Sequence, residues 1–314
     1  MRRALVIGGT GLIGRAVARR LIRDGWRVTV TGRDPRRAPA DLSGVFFRST
    51  RDVWPSGDHE LVVDCACYTA EHARQSLPLM RGARSAVMIS SKAVYVDEYG
   101  NHVNSAVPPR FTGPVREDQP TLPPGDMLYD SPEGYGPNKV AAEQVLLDSG
   151  APVTVLRASK VHGEGAVPAR TWWFVKRALD RRPVVLLAGR GRGVDHPTAA
   201  TDIAALIARV ADRPGRRVLN VADPIAADGL TIARIVAAEL GHSWREVLLA
   251  ESSPLGRHPF HRLPGIVLDT SAAAALGHVP EGDLTAEIRW LVSHPPATDP
   301  AGWFDYAAED AAIA

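Results

Sequence analysis

The segment Gly8-Gly9-Thr10-Gly11-Leu12-Ile13-Gly14 follows directly on the apolar run Ala4-Leu5-Val6-Ile7. Glycines this closely spaced between a strand pattern and a helix pattern leave the chain few options. Gly9-x-Gly11-x-x-Gly14 supplies a tight turn, a stretch of bare backbone, and a close approach of helix to strand. Gly8, Gly11 and Gly14 also fit a GxxGxxG spacing. The first amides of the helix then favour an anion at its start. Strand before and helix after is the context in which such a loop holds a dinucleotide pyrophosphate. The expected contacts are Gly8, Thr10, Gly11, Leu12, Ile13 and Gly14.

The rest of the first half alternates strand and helix patterns. Residues 4–7 read as a strand, 12–23 as a helix and 28–31 as a second strand. Residues 61–65 and 86–89 are further apolar runs of strand length. This rhythm predicts an α/β fold with a doubly wound parallel sheet, helices on both faces. Residues 97–133 break it with Pro, Gly, Asp and Asn. A helix is expected from about Pro137 to Leu147. Strands follow at 153–156, 184–187 and 218–221, with helices at 171–180, 202–211, 231–240 and 284–292. Residues 1–160 plus about 194–225 are expected to form the nucleotide-binding domain. Residues 161–193 plus 226–314 form a smaller C-terminal α/β substrate domain, its tail after Pro295 packing weakly.

Composition narrows the function. The formal charge of the 314-residue chain is only +2, which gives no case for nucleic acid. No apolar run approaches the roughly 20 residues of a membrane helix, and the N-terminus enters a strand too soon for a signal peptide. Cys65 and Cys67 alternate across a strand and do not bridge each other easily, which fits a reducing cytoplasm. The spacings of His162, His196, His258 and His261 match no metal-ligand pattern, so no metal is expected. Trp172-Trp173-Phe174 reads as core.

A second motif, Tyr135-Gly136-Pro137-Asn138-Lys139, lies about 120 residues past the glycine loop. Four residues apart, a phenol and an ammonium share a helical face. The ammonium is expected to lower the phenol's pKa, so that Tyr135 passes a proton to or from a carbinol oxygen. Lys139 also reaches a nicotinamide ribose. Cofactor choice turns on Val30-Thr31-Gly32-Arg33-Asp34. An acidic residue at the end of strand two favours NAD. Here that position is Gly32, followed by Arg33, which suits the 2′-phosphate of NADP, with Arg36 and Arg37 in support. The alternative is that Asp34 takes the ribose of NAD.

With these motifs the chain resembles the short-chain dehydrogenase/reductase superfamily, and within it the extended branch known as the NAD-dependent epimerase/dehydratase family. The resemblance covers most of residues 1–225. Ile89-Ser90-Ser91-Lys92-Ala93-Val94-Tyr95 is similar to that branch's SSxxVYG signature, with Val96 in place of glycine. It implies Ser91 as the catalytic hydroxyl beside Tyr135 and Lys139, with Ser90 as its near neighbour. Leu156-Arg157-Ala158-Ser159-Lys160-Val161-His162-Gly163 resembles the LRxxxVxG segment, implying cofactor contacts at Ala158 and Val161 and a substrate contact at His162. Cys65 and Ala66 complete the implied cofactor set, and Arg192 is a candidate for a substrate phosphate or carboxylate. Thr201-Asp202-Ile203-Ala204 resembles VxDxA, with Asp202 read as a helix cap.

Two features depart from the sugar-nucleotide members. Thr69–Ser76 lacks their Asn and Gly-Thr pair, and Lys92-Ala93 replaces the acidic pair of the dehydratases. The first expectation is therefore an NAD(P)-dependent reductase acting on a polar small molecule. The alternatives are an NAD-dependent epimerase of a sugar or sugar-nucleotide-like substrate, and a non-catalytic NADP-binding sensor. A homodimer is common in the superfamily.

Overall fold

The computed structural model describes residues 1–33, 45–49 and 58–313. The chain runs through β1 (Arg3–Ile7), α1 (Leu12–Arg23), β2 (Arg27–Gly32), β3 (Val45–Ser49), β4 (Leu61–Asp64), α2 (Ala70–Gly82) and β5 (Ser85–Ser91). It continues with α3 (Pro132–Leu147), β6 (Val153–Ala158), β7 (Lys160–His162), α4 (Trp172–Leu179), β8 (Val184–Leu187) and β9 (Pro197–Ala199). The remainder is α5 (Ala200–Asp212), β10 (Arg217–Val221), α6 (Gly229–Glu239), β11 (Arg245–Leu248), α7 (Ser271–Ala275), α8 (Leu284–Ser293) and α9 (Tyr306–Ala311). None of the described helices is long and apolar enough to cross a membrane.

The chain divides into two compact units. The first holds Met1–Ser159, Ala200–Ala222 and Leu268–Glu281, and the second holds Lys160–Ala199, Asp223–Val267 and Gly282–Ala314. These bounds differ from the sequence expectation at both joins. Residues 194–199 and 223–225 belong to the second unit, because β9 pairs with β7 and the Asp223 amide bonds the Pro197 carbonyl. Leu268–Glu281 belongs to the first, where Leu268 bridges Val115 and the Glu281 amide donates to Asp202 Oδ1 at 2.9 Å. Asp202 thus holds a distant segment rather than capping its own helix.

The first unit is built on a seven-stranded sheet in the order β10-β6-β5-β4-β1-β2-β3, parallel throughout. β1 pairs with β2 on one side and β4 on the other, so the strand order reverses between β1 and β4. In doubly wound, Rossmann-type sheets that reversal opens the ligand crevice at the carboxyl ends of the strands. Helix α1 packs on α5, and α2 on α3. The central strands are therefore covered on both faces, which is why β1, β4 and β5 read as continuous apolar runs rather than alternating ones. Leu5, Ile7, Val62, Met88 and Val155 form one core with Ala73 and Met80 of α2 and Ala142 and Leu146 of α3. Each such large aliphatic side chain contributes roughly 1.5–3 kcal/mol by burial.

Helix α3 begins five residues earlier than expected, at Pro132 rather than Pro137. Ser131 caps it, accepting from the Gly134 amide at 3.0 Å, and Pro132 occupies the first turn, where its missing N–H is harmless. Pro137 lies inside the helix. Tyr135 and Lys139 are thus both helical. The 97–133 segment contains no α-helix before Pro132 and no strand beyond isolated bridges, Tyr95 with Thr121 and Val115 with Leu268. It is organised by Asp97, whose carboxylate accepts from the amides of Tyr99, Asn101 and Arg110 at 3.0, 2.8 and 2.9 Å.

In the second unit β8 pairs with β11 and β7 with β9, both in parallel. Helices α4, α6 and α8 enclose Trp173, Phe174, Ile232, Val236, Ile288 and Leu291, so the aromatic cluster is core as expected. The tail after Pro295 is largely exposed but anchored at specific points, contrary to expectation. Asp299 accepts from the Trp172 indole at 2.8 Å, and Glu309 of α9 pairs with the buried Arg177.

Candidate functional site

The glycine loop has the form a phosphate cradle requires. Gly8 sits at φ +76°. A Cβ on Gly9 would stand 2.5 Å from Val30 Cβ, and one on Gly14 would strike the Gly8 carbonyl. Helix α1 starts at Gly11 with no side-chain cap and no acidic residue in its first turn, so no carboxylate competes for the amides there. On the far side of the loop, a Cβ on Gly8 would lie 3.2 Å from Ala66 Cβ. Gly8 of the loop therefore meets the Cys65–Ala66 stretch that follows β4, at the strand-order reversal.

At the end of β2, Gly32 packs against Thr10. A Cβ there would stand 2.7 Å from Thr10 Cγ2, so glycine is required for steric reasons as well as lacking a carboxylate. Arg33 is exposed. Asp34, Arg36 and Arg37 lie outside the described residues.

Ser91 closes β5 and stands in register with Ala158 of β6. Its hydroxyl accepts from the Ala93 amide at 3.2 Å and is hydrogen-bonded to Tyr135. Ser90 points the other way. It donates to Glu143, whose carboxylate also takes Arg157 at 2.6 Å, both partners buried. Arg157 continues to the Glu117 carbonyl at 3.2 Å and lies 4.8 Å from the Tyr95 ring centre, while Tyr95 donates to Asn220 at 2.6 Å. Strand alternation separates the two serines: one joins a structural ion pair, the other faces Tyr135.

Lys139 is buried, and its ammonium donates to the carbonyls of Cys67 at 2.7 Å and Ile89 at 2.9 Å. It lies 4.5 Å from the centre of the Tyr68 ring and 5.9 Å from that of Tyr135. Burial pushes the Lys139 pKa down. Burial also pushes the Tyr135 phenol up, and the hydrogen bond from Ser91 only partly offsets this. The expected lowering of Tyr135 by Lys139 is thus absent in the free chain, because desolvation of the phenol outweighs a cation held by backbone oxygens elsewhere.

Several neighbours escaped the sequence reading. Asp64 ends β4, accepts from the Ala66 amide at 2.9 Å, and is pushed toward its neutral form by burial. Its signal was a lone charge closing Leu61-Val62-Val63. Burial raises the thiols of Cys65 and Cys67 well above the ordinary cysteine range. Tyr68 and Tyr129 carried no signal, since they meet only through the fold. Beside them a cavity of about 780 Å³ is lined by Thr69, Arg74, Met127, Tyr129, Asn138 and Ala141, among others.

The remaining expected contacts lie in the second unit. Val161 is in β7, in register with Thr198 of β9. Arg192 is exposed, beside Gly189, Arg190 and Gly191, which all have positive φ. His162 departs from its expected substrate role. Its Nε2 lies 2.7 Å from Asp223 and its Nδ1 3.2 Å from Glu287, and only 1% of it is exposed. Burial opposes its charge, but the two carboxylates outweigh that and raise its pKa to about 9. An imidazolium with carboxylates at both nitrogens is a structural link.

Residues 4–54 match the model of the NAD dependent epimerase/dehydratase family. No curated protein matches the chain. Among solved structures it is similar to UDP-glucuronic acid 4-epimerase from Bacillus cereus, solved with UDP-glucuronic acid and NAD, at 18% identity and TM-score 0.65 over 93% of this chain and 99% of that one. It is similar to dTDP-glucose 4,6-dehydratase from Bacillus anthracis, in complex with NAD, at 15% identity and TM-score 0.68 over 93% and 97%. It is also similar to UDP-glucose 4-epimerase from Thermus thermophilus, in complex with NAD, at 21% identity and TM-score 0.62 over 94% and 100%. At such identities the likeness is one of fold. The glycine loop at residues 8–14 lies within the family-model match, and along the rest of the chain the likeness to these epimerases and dehydratases is one of fold.

Proposed function

We propose that this chain is an NAD(P)-dependent enzyme acting at a carbinol or carbonyl carbon of a polar small molecule. The carrying observation is the hydrogen bond between Ser91 and Tyr135, with Lys139 one helical turn further on. The bare start of α1 and the close-packed glycines fit a dinucleotide pyrophosphate, with Gly8, Thr10, Gly11, Leu12, Ile13 and Gly14 around it and Cys65, Ala66 and Ala158 at the strand ends. Bound, the nicotinamide supplies the hydride donor and acceptor. Tyr135 Oη holds the proton exchanged with the substrate oxygen, and Ser91 hydrogen-bonds that same oxygen. Because burial keeps Tyr135 protonated, the free chain is set as the acid. Service as a base requires the phenolate to be stabilised, and the Lys139 ammonium is the group within reach.

An epimerase-like cycle, in which the cofactor is recycled, is favoured over the net reduction placed first from the sequence. The support is the likeness to epimerases of UDP-linked sugars and to a dehydratase solved with NAD. Net reduction with NADP keeps one specific observation, the forced Gly32 beside exposed Arg33. A pure sensor has no use for the Ser91–Tyr135 bond. The free Cys65 and Cys67 suit a reducing cytoplasm, and a homodimer is the assembly proposed.

The test is titration with NADH and NADPH followed by nicotinamide fluorescence, after checking the purified protein for bound nucleotide. Retained NAD, with C4 inversion of UDP-glucose or UDP-glucuronic acid seen by NMR, supports the epimerase. NADPH preference of about tenfold, lost in Arg33→Ala, supports the reductase (~1.4 kcal/mol). Binding of neither nucleotide ends both readings.

A further inference from the structure

Lys139 is a buried cation whose hydrogen bonds both go to backbone carbonyls, those of Cys67 and Ile89. The side chain closest to a counter-charge is an aromatic face. The ammonium sits 4.5 Å from the centre of the Tyr68 ring, nearer than to Tyr135 at 5.9 Å. Tyr68 is itself held on two sides. Tyr129 stacks on it with ring centres 5.3 Å apart and planes 23° apart, and His72 meets it edge-on at 6.4 Å. His72 also contacts Tyr129 at 5.9 Å and accepts from the Tyr68 amide at 3.3 Å.

We propose that Tyr68 is a positioning residue for Lys139, and that the stretch preceding α3 acts on the site by holding Tyr68 through Tyr129. This rests on the reading of Lys139 as the partner of Tyr135. A desolvated ammonium with no carboxylate bound to it gains more from a ring face than an exposed one does, since no water competes. The ring also fixes where the cation can sit. An ammonium against Tyr68 is held off Tyr135 in the free chain, and a small shift along α3's face would bring it to the phenol. Tyr129 belongs to the long irregular segment, so this pair gives that segment a defined task.

The other groups facing Lys139 are Asp64, Cys65 and Cys67 from the end of β4, and Tyr135 and Glu143 from α3. Cys67 and Cys65 are neutral thiols, and Glu143 is committed to Arg157 and Ser90. Tyr68 presents the ring face nearest the ammonium, and its removal changes no charge.

The chain contains only four lysines, Lys92, Lys139, Lys160 and Lys176. Isotope-labelled lysine therefore gives a four-signal NMR spectrum, in which Lys139→Met identifies the Lys139 resonance. Its titration midpoint is read with no cofactor or substrate, so a null result here is distinct from a failure to bind nucleotide. Tyr68→Phe keeps the ring and should keep the midpoint. Tyr68→Leu should lower it by about one pH unit, the size expected when a desolvated cation loses an aromatic face. Tyr129→Leu should lower it by less. An unchanged midpoint in Tyr68→Leu overturns the proposal, and so does a shift in Tyr68→Phe as large as in Tyr68→Leu. The signals of Lys92, Lys160 and Lys176 report folding. If they move in Tyr68→Leu, Tyr68→Met provides the ringless side chain at closer volume and is judged by the same midpoint.

Discussion

Lys139 in the first unit and Arg177 in the second are both buried, at 2% and 1% exposure, yet they are held in opposite ways. Arg177 pairs with Glu309, donates to the carbonyls of Trp173 and Trp303 at 2.7 and 2.9 Å, and sets its Cζ over the Trp173 ring, 3.6 Å from the ring centre. Among the described residues Lys139 has two carbonyls and a ring face but no bonded carboxylate. A buried charge that has a carboxylate counter-ion fastens structure, as Arg157–Glu143 and His162 with its two carboxylates also do. A buried charge left without a counter-ion costs stability, and persists where chemistry needs it.

The largest expected effects break this contrast at the unpaired end. Tyr135→Phe should lower turnover by about 10²–10⁴-fold on whichever substrate is found, with nucleotide affinity retained. Lys139→Met should abolish most turnover too, yet leave the unfolding free energy unchanged or higher, because it removes an uncompensated buried charge. Loss of stability in that variant would show the cation to be structural after all. At the paired end the prediction reverses. Glu143→Ala strands Arg157 and Ser90 and should cost about 3–5 kcal/mol in urea unfolding.

A pH series sharpens the same point. The pKa of His162 is raised to about 9, above that of a histidine in the unfolded chain. Its contribution is complete below the unfolded value and is lost as pH rises through about 9, a change on the order of 3 kcal/mol. Lys139, whose pKa is lowered, acts with the opposite sign: its penalty is relieved as pH climbs through the depressed value. Thermal melts from pH 6 to 9.5 should therefore decline in the wild type and stay flatter in His162→Gln. The smallest effect belongs to an exposed pair: Arg234→Ala, which breaks the surface contact with Glu246, should leave stability within error.

The contrast also explains what could be read from the chain alone. The glycine loop, Tyr135 with Lys139, and Ser91 are local patterns whose geometry follows from helix and strand periods. The parallel, helix-covered sheet follows from the same alternation, whereas the strand order and the edge strand β3 do not. What stayed hidden depends on contacts between distant segments. Nothing near Glu143 announces Arg157 and Ser90, nothing near Tyr68 announces Tyr129, and His162 could not be separated from a ligand contact without Glu287. Pro137 misled for a different reason. A proline usually marks a helix start, but Ser131-Pro132 had already provided a better one.

The carboxylate of Asp97 gathers the amides of Tyr99, Asn101 and Arg110 onto a single side chain. The chain between Asn101 and Arg110 is therefore clamped at its two roots, Asn104 adds a bond to the Pro132 carbonyl at 2.8 Å, and residues 106–108 stand exposed between them. Lengthening a clamped tip is cheap, since doubling a loop costs only about 0.6 kcal/mol in closure entropy. Residues 106–108 are thus a natural place to graft a tag or a reporter peptide, or for drift to add new sequence, while the stretch that carries Tyr129 stays in place.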